Sequence, residues 1–552
     1  MKSAMTWGTA FIFLFCSAAW GEPMADVVRK HVLENRDDQI KATQELVKIE
    51  AYNQIAPDYR GPYPAQGVVD SLNYVMEKAQ EMGFRTVLHQ WERTENARGP
   101  LYGYVEYGPE DAPEMIMSLA HLDTVPPGNA ELWTLGKPYE SKIVTVDGEE
   151  RIIGRGVYDD KGPALASLYS LKALKDAGIP LKRRIRLFFG TTEDYGGWVC
   201  VDAYRADAAA GREEWPVLGF SPDSGSFRPT YIEKSSVNVV AENPIDNSKA
   251  TVKLTALNGG TARNAVSDRC QATLEGSDGD LAKVKDAMEK AIADKGWDTT
   301  KQPVVFELAN GVLKVDVTGR AAHSGWAWEG IGANNRMMYL LSQVPVDAEW
   351  KIVAGKIADL LPPDETETDM GAALGIQEGG LEYSDIVTVN MGLARLEKNA
   401  DGAEQLYVAV NIRYPDKGAD VLTGSPHQSG EEIKNKVDAK FKEAGLKADV
   451  TGGAYPYTVP MDSEIIVKLQ QAYKDITGNS VTPCITNGGT YAAAWRNAKL
   501  SEKSDETFGY RMVSWGIDGG IGMHEANESM SIEKMLEGTQ IMALAMGYLA
   551  TE

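Results

Sequence analysis

Three of the six histidines in this 552-residue chain stand among residues that could do chemistry. His121 and Asp123 follow directly on the apolar run 115–120, in Ala120-His121-Leu122-Asp123-Thr124-Val125-Pro126. A histidine at the carboxyl end of a buried strand, with an acid two residues on, lies where open α/β sheets bind their ligands. Taken alone, the pair is equally compatible with a histidine satisfied inside the core. The stretch Gly154-Arg155-Gly156-Val157-Tyr158-Asp159-Asp160-Lys161-Gly162-Pro163 carries two adjacent carboxylates in a glycine-rich loop that opens a helix. Neighbouring acids resist burial unless a cation reverses the preference, so the loop is either exposed or a cation site. Glu193 and Asp194 follow an apolar run at 184–189, Asp223 follows another at 216–220, and His524 lies in Gly522-Met523-His524-Glu525 after a turn-rich stretch. Acids beyond the ends of strands in one sheet would converge on one rim. Mixed imidazole and carboxylate donors suit zinc, manganese or cobalt. His323, in Gly319-Arg320-Ala321-Ala322-His323-Ser324-Gly325, reads by itself as a polar turn after a strand at 312–317. His31, His89 and His427 have ordinary polar neighbours and are expected at the surface.

From about 26 to 234, short apolar runs alternate with helical stretches: strands at 114–119, 184–189 and 216–220, and a helix at 164–174. That alternation predicts an α/β sheet covered by helices on both faces. Beyond about 235 the pattern changes to strict period two with long polar helices at 281–295 and 431–445. Leu406, Val408, Val410 and Ile412 take one face of a strand, which puts Asn411 and Arg413 together on the other. From about 453 the first pattern returns, with Ile465, Leu469, Ala472, Tyr473 and Ile476 on one face of a helix that Gly478 closes. The expected division is therefore a catalytic domain over 22–234 and 453–552, split around an inserted α+β lid over 235–452 that holds one or two subdomains.

These motifs resemble those of the co-catalytic zinc peptidases of the aminoacylase, carboxypeptidase G and dipeptidase V type. They run through almost the whole chain beyond its first twenty residues in family order, and the long single insertion is most similar to the dipeptidase V branch. The resemblance implies a zinc-peptidase catalytic domain whose mixed sheet is flanked by helices, two divalent metal ions, and a water between them that attacks the peptide bond. It implies that His121 and Asp223 hold one metal, Asp194 and His524 the other, and that Asp159, the first of its acid pair, bridges both. Zinc is the expected ion, with manganese or cobalt as alternatives. Glu193 is then free to act as general base, and Asp123 to orient His121 from behind. The family's acid pair is commonly Glu-Glu, and the Glu193-Asp194 of this chain puts the metal preference in doubt. By the same resemblance His323 reaches from the lid to the scissile carbonyl, where a donor aimed at a developing oxyanion is typically worth a few kcal/mol. Asn264, Arg413 and Gly489 match positions that hold the substrate, the arginine on its carboxylate through a planar fork. A solvated polar face for Asn264 and Arg413, and a plain tight turn for Gly488-Gly489-Thr490, are the bland readings beside these.

The implied activity is hydrolysis of short peptides with a free C-terminal carboxylate, a dipeptidase first. An N-acyl amino acid deacylase or carboxypeptidase of the same family is the alternative. A non-catalytic metal- or peptide-binding protein would be expected to have lost a ligand or the base, and all are present. With 43% hydrophobic and 24% charged residues the chain has the composition of a soluble globular protein. A formal charge of −23 argues against a nucleic-acid partner, which needs a basic face. Lys2, the apolar run 10–19 and the small residues around Gly21 read as a signal peptide over 1–21. Export to a periplasm or the medium is therefore expected, with no membrane contact after cleavage. Beyond that segment Cys200, Cys270 and Cys484 are too few for a disulfide framework, and at most one pair is expected to be bridged. A lid this long is expected to supply both halves of what shorter relatives build by dimerising, which favours a monomer.

Overall fold

A computed structural model describes residues 22–53, 64–89, 99–194, 198–363, 370–371, 373–376, 387–414, 430–453, 457–495, 509 and 511–552. The signal-peptide segment and His427 lie outside these residues.

The parallel heart of the largest sheet is three strands. Met115–His121 lies between Arg184–Gly190 and Leu218–Ser221, with His121 level with Gly190 and Ser118 with Phe220. All three are buried along their length, as strands covered on both faces must be. Tyr102–Tyr107 pairs antiparallel with Arg184–Gly190, and Met512–Ser514 runs parallel to Leu218–Ser221, so the nine-stranded sheet is mixed. Helix Lys161–Asp176 covers it and is buried nearly all round. Its small residues let it pack closely: Ser170 Oγ donates to the Thr539 carbonyl of helix Ile532–Thr551 at 2.9 Å. Gly162 is needed at the start of that helix, since a Cβ there would meet the Val157 carbonyl oxygen at 2.1 Å.

A small four-stranded sheet ties distant parts of the chain together. Gly520–Ile521 and Ser529–Ser531 form a hairpin whose second strand pairs with Glu149–Ile153, Ser529 opposite Ile153, and Ile143–Val146 completes the sheet.

Residues 235–452 form their own sheet over their own core. Eight antiparallel strands run in the order Val304–Ala309, Val312–Thr318, Arg269–Glu275, Lys253–Gly259, Thr388–Lys398, Glu404–Tyr414, Ser235–Pro244 and Ala448–Gly452. One hydrophobic cluster, from Val237 to Val450, lies beneath all of it, so the described lid strands share one sheet and one core. The other core draws on residues before 235 and after 458. Helix Asp278–Lys295 begins three residues before its first apolar position because Ser277 caps it, its side chain accepting from the Asp280 amide; Gly296 ends it at φ 68°. Helix Glu464–Thr477 ends at Gly478 with φ 77°. The thiols of Cys200, Cys270 and Cys484 are free. Among the described residues no helix is long and apolar enough to cross a membrane.

Candidate functional site

Strand register decides most of the site. Because Met115–His121, Arg184–Gly190 and Leu218–Ser221 are parallel neighbours, their carboxyl ends open on one rim. His121 ends the central strand, Glu193 and Asp194 lie just beyond the second, and Asp223 just beyond the third. The four-stranded sheet supplies the other two groups. Pairing of Ser529 with Ile153 holds the 154–160 loop against the turn that carries His524, so Asp159 and His524 arrive side by side. Asp159 stands between the histidines: Oδ1 lies 3.0 Å from His121 Nε2 and Oδ2 lies 3.0 Å from His524 Nε2. Asp223 is 3.7 Å from the same His121 nitrogen, and Asp194 is 2.9 Å from the same His524 nitrogen. Asp160 turns away, accepting from the His121 backbone amide at 3.1 Å. His121, Asp159 and Asp194 offer ligand atoms within 4.8 Å of one another, as do His121, Glu193 and Asp223.

Asp123, fully buried, lies behind His121, with Oδ1 3.5 Å from Nδ1; the Asp123 backbone carbonyl is closer, at 2.9 Å. Its carboxylate also accepts from the Glu193 backbone amide at 2.9 and 3.1 Å and from Asn53 Nδ2 at 3.3 Å. One acid thereby steadies both the histidine and the segment bearing Glu193. Glu193 Oε1 accepts from the Trp198 indole at 2.9 Å. Burial, and after it the charges of Asp194, Asp159 and Asp123, push the Glu193 carboxyl up to about 8 against the pull of His121. Burial and the neighbouring Asp159 likewise raise Asp223 well above the usual carboxylate range. Burial works against protonation of His524, yet Asp194 and Asp159 hold it up at about 10.

Six acids packed around two imidazoles are more negative charge than this interior compensates. Asp194 Oδ2 and Asp160 Oδ1 are buried without a hydrogen-bond partner among the described residues. Unpaired buried carboxylates are costly, and a bound cation removes that cost. The donor set, nitrogen and oxygen with Asp159 able to give one oxygen to each side, fits a pair of divalent ions.

The lid forms the opposite wall of a cleft of about 610 Å³, lined by Glu193, Asp194, Asp223 and His524 below and by Asn264, His323, Asn411 and Arg413 above, with Gly488 and Gly489 at the side. His323 Nδ1 accepts from the Gly325 amide at 3.1 Å, which leaves the proton on Nε2. Its ring meets that of His524 edge-on, with centroids 4.9 Å apart. Burial, then the nearby His524 and Arg413, hold its pKa well below the usual imidazole value. The Asn264 carbonyl accepts from the Ser324 amide at 2.8 Å, fastening the two lid loops. Arg413 Nε donates to Asn411 Oδ1 at 2.8 Å, and Ser324 Oγ donates to the same oxygen at 2.8 Å. Arg413 and the His323 turn are therefore set by one asparagine, and their face of the strand is covered rather than solvated. Gly488 and Gly489 are outside the left-handed region, and a Cβ on either would meet only ordinary contacts. Among the described residues nothing requires glycine at either position.

Several contributors escaped the sequence reading. Glu528, fully buried, accepts from Arg155 Nη1 at 2.6 Å and from the backbone amides of Gly156, Tyr158 and Asp159 at 3.0, 2.9 and 3.2 Å. It splints the loop that presents Asp159. Arg155 in a glycine loop was a signal that some acid must pair with it, but the partner lies 373 positions away. Trp198 and Asn53 carried no local signal. His89 departs from its expected surface place: it stacks on Tyr102 and lies 3.0 Å from Asp207.

Comparison with known proteins agrees with this arrangement. The profile of the peptidase family M20/M25/M40 matches residues 117–547. YtjP of Bacillus subtilis (strain 168), a proposed dipeptidase, is 28% identical over 523 residues, which is 94% of this chain and 98% of YtjP. SSP1012 of Staphylococcus saprophyticus, also a proposed dipeptidase, is 27% identical over 95% of this chain and 99% of its own. Two solved structures share the fold. Human carnosine dipeptidase 1 has a TM-score of 0.56 at 14% identity, covering 96% of this chain and 100% of that one. The dipeptidase Dug1p of Saccharomyces cerevisiae has a TM-score of 0.56 at 15% identity, covering 96% and 99%.

Proposed function

The chain belongs to the M20/M25/M40 peptidases and is a metal-dependent hydrolase, and from that premise we propose that it is a dipeptidase acting on short peptides with a free C-terminal carboxylate. The observation that carries this reading is the lidded cleft, which sets a half-buried arginine opposite the acid and imidazole cluster within about 610 Å³. A space of that size encloses a small ligand and excludes a folded chain. His121, Asp159 and Asp223 would hold one divalent ion and Asp159, Asp194 and His524 the other, zinc first with manganese or cobalt as alternatives. When bound, such ions polarise the carbonyl and make water acidic enough to attack at neutral pH. Glu193 takes the proton of the attacking water and returns it to the leaving amine. His323 donates Nε2–H to the carbonyl oxygen as it gains charge, and Arg413 and Asn264 hold the carboxylate end. Eight lid strands from one chain support a monomer. Export rests on the leader-like residues 1–21 alone.

The test begins with mature protein stripped by a chelator and resupplied with zinc, manganese or cobalt, assayed on dipeptides, tripeptides and N-acyl amino acids. Metal-restored cleavage confined to dipeptides is the expected result. Preference for N-acyl amino acids would transfer the protein to the deacylases and leave the metal assignment standing. Arg413→Ala is expected to raise KM for dipeptides by about tenfold or more, the loss of a charge-assisted pair, with a smaller effect on C-terminally amidated peptides. Equal effects on both would remove the carboxylate from Arg413.

A further inference from the structure

We propose that Arg263 recognises an acidic side chain on the C-terminal residue of the substrate, making dipeptides that end in aspartate or glutamate the preferred class. The inference rests on the dipeptidase reading and refines it. Several interior arginines are paired with acids: Arg155 with Glu528 at 2.6 Å, Arg186 with Glu106 at 2.6 Å and Glu213 at 2.7 Å, Arg151 with Glu149 at 2.9 Å. The two arginines that line the cleft differ. Among the described residues neither Arg263 nor Arg413 forms an ion pair with a carboxylate, and the buried Nε of Arg263 has no hydrogen-bond partner. On the lid wall, opposite the acid cluster, the two guanidinium groups supply positive charge to one cavity.

Their placement suits two carboxylates on one residue. Arg263 and Asn264 are consecutive, and both line the cleft on the lid wall that carries Arg413. The Arg263 carbonyl is pinned by Asn390 Nδ2 at 2.9 Å, and Gly392 packs so closely that a Cβ there would lie 2.4 Å from that oxygen. The backbone is thus fixed while the guanidinium keeps donors to offer. Its charge reaches Tyr407, a residue that Glu242 and Glu397 also face, yet neither of those acids pairs with it. With the α-carboxylate on Arg413 and Asn264, a side-chain carboxylate of the same residue meets Arg263. A planar fork favours a carboxylate over an isosteric amide, which returns no charge to the guanidinium. Discrimination of this kind is a difference of affinities.

The experiment compares kcat/KM for Ala-Glu and Ala-Gln, two substrates of nearly identical shape, using metal-loaded wild type, Arg263→Met and Arg263→Lys. Wild type is expected to favour Ala-Glu by about tenfold or more, the scale of one charged hydrogen-bonded pair. The ratio should fall towards one in Arg263→Met and recover in part in Arg263→Lys. A ratio near one in wild type, or one that survives in Arg263→Met, overturns the inference and leaves the dipeptidase reading intact. Cleavage of neither dipeptide by wild type sinks that reading, and this inference with it.

Discussion

Glu193→Gln is expected to keep the full metal content of the wild type and to lose turnover by about 10²–10⁴-fold, the range of a positioned general base. The substitution keeps the shape of the side chain, and its amide oxygen can still accept from the Trp198 indole, 2.9 Å from the present carboxylate. The Glu193 backbone amide, which ties the segment to Asp123, is untouched. What disappears is an oxygen able to take a proton. Burial among other acids raises the Glu193 carboxyl and makes it a stronger base than a free one, and bound cations would lower it in turn. Metal analysis beside steady-state kinetics is the check. Normal turnover would take Glu193 out of the reaction, and loss of metal together with turnover would make it a ligand instead.

His323→Phe is expected to lower kcat by about 10²–10³-fold, the typical cost of one oxyanion donor, while moving KM little. The phenyl ring preserves the tilted contact with Trp326, whose centroid lies 5.2 Å away, and the edge-on contact with His524. It removes the Nε2–H that the Gly325 amide, by donating to Nδ1, directs into the cleft. An interaction made in the transition state and not in the ground state appears in kcat. A change confined to KM would make His323 a substrate-binding residue only. Melting temperatures of both forms separate lost chemistry from lost packing, since the variant also strands the Gly325 donor.

Much of the site was legible because its residues announce themselves locally. His121 sits at the end of an apolar strand, Asp159 in a glycine-rich loop of paired acids that read as either exposed or a cation site, and Asp223 just past an apolar run. Strand periodicity likewise paired Asn411 with Arg413 on one face, and the structure joins them by a hydrogen bond at 2.8 Å. The bland reading of a solvated face for Arg413 does not hold, since Asn411 and Arg413 line the cleft. A period of two reports which side chains share a face, and it is silent about what covers it.

What the sequence by itself determined is therefore the chemical inventory and part of the local backbone: which acids and histidines follow strands, and that Gly478 ends a helix. The tertiary structure alone decided the partners. Glu528 found the Asp159 loop because Ser529 pairs with Ile153, and His323 came to face His524 because the lid sheet folds over the rim. Asp159 gained two histidines from opposite ends of the chain in the same way. The physical reason is that capping and periodicity act over a few residues, whereas ion pairs and hydrogen bonds are satisfied through space. Which groups meet across hundreds of residues depends on sheet register and core packing, which no short stretch of the chain contains.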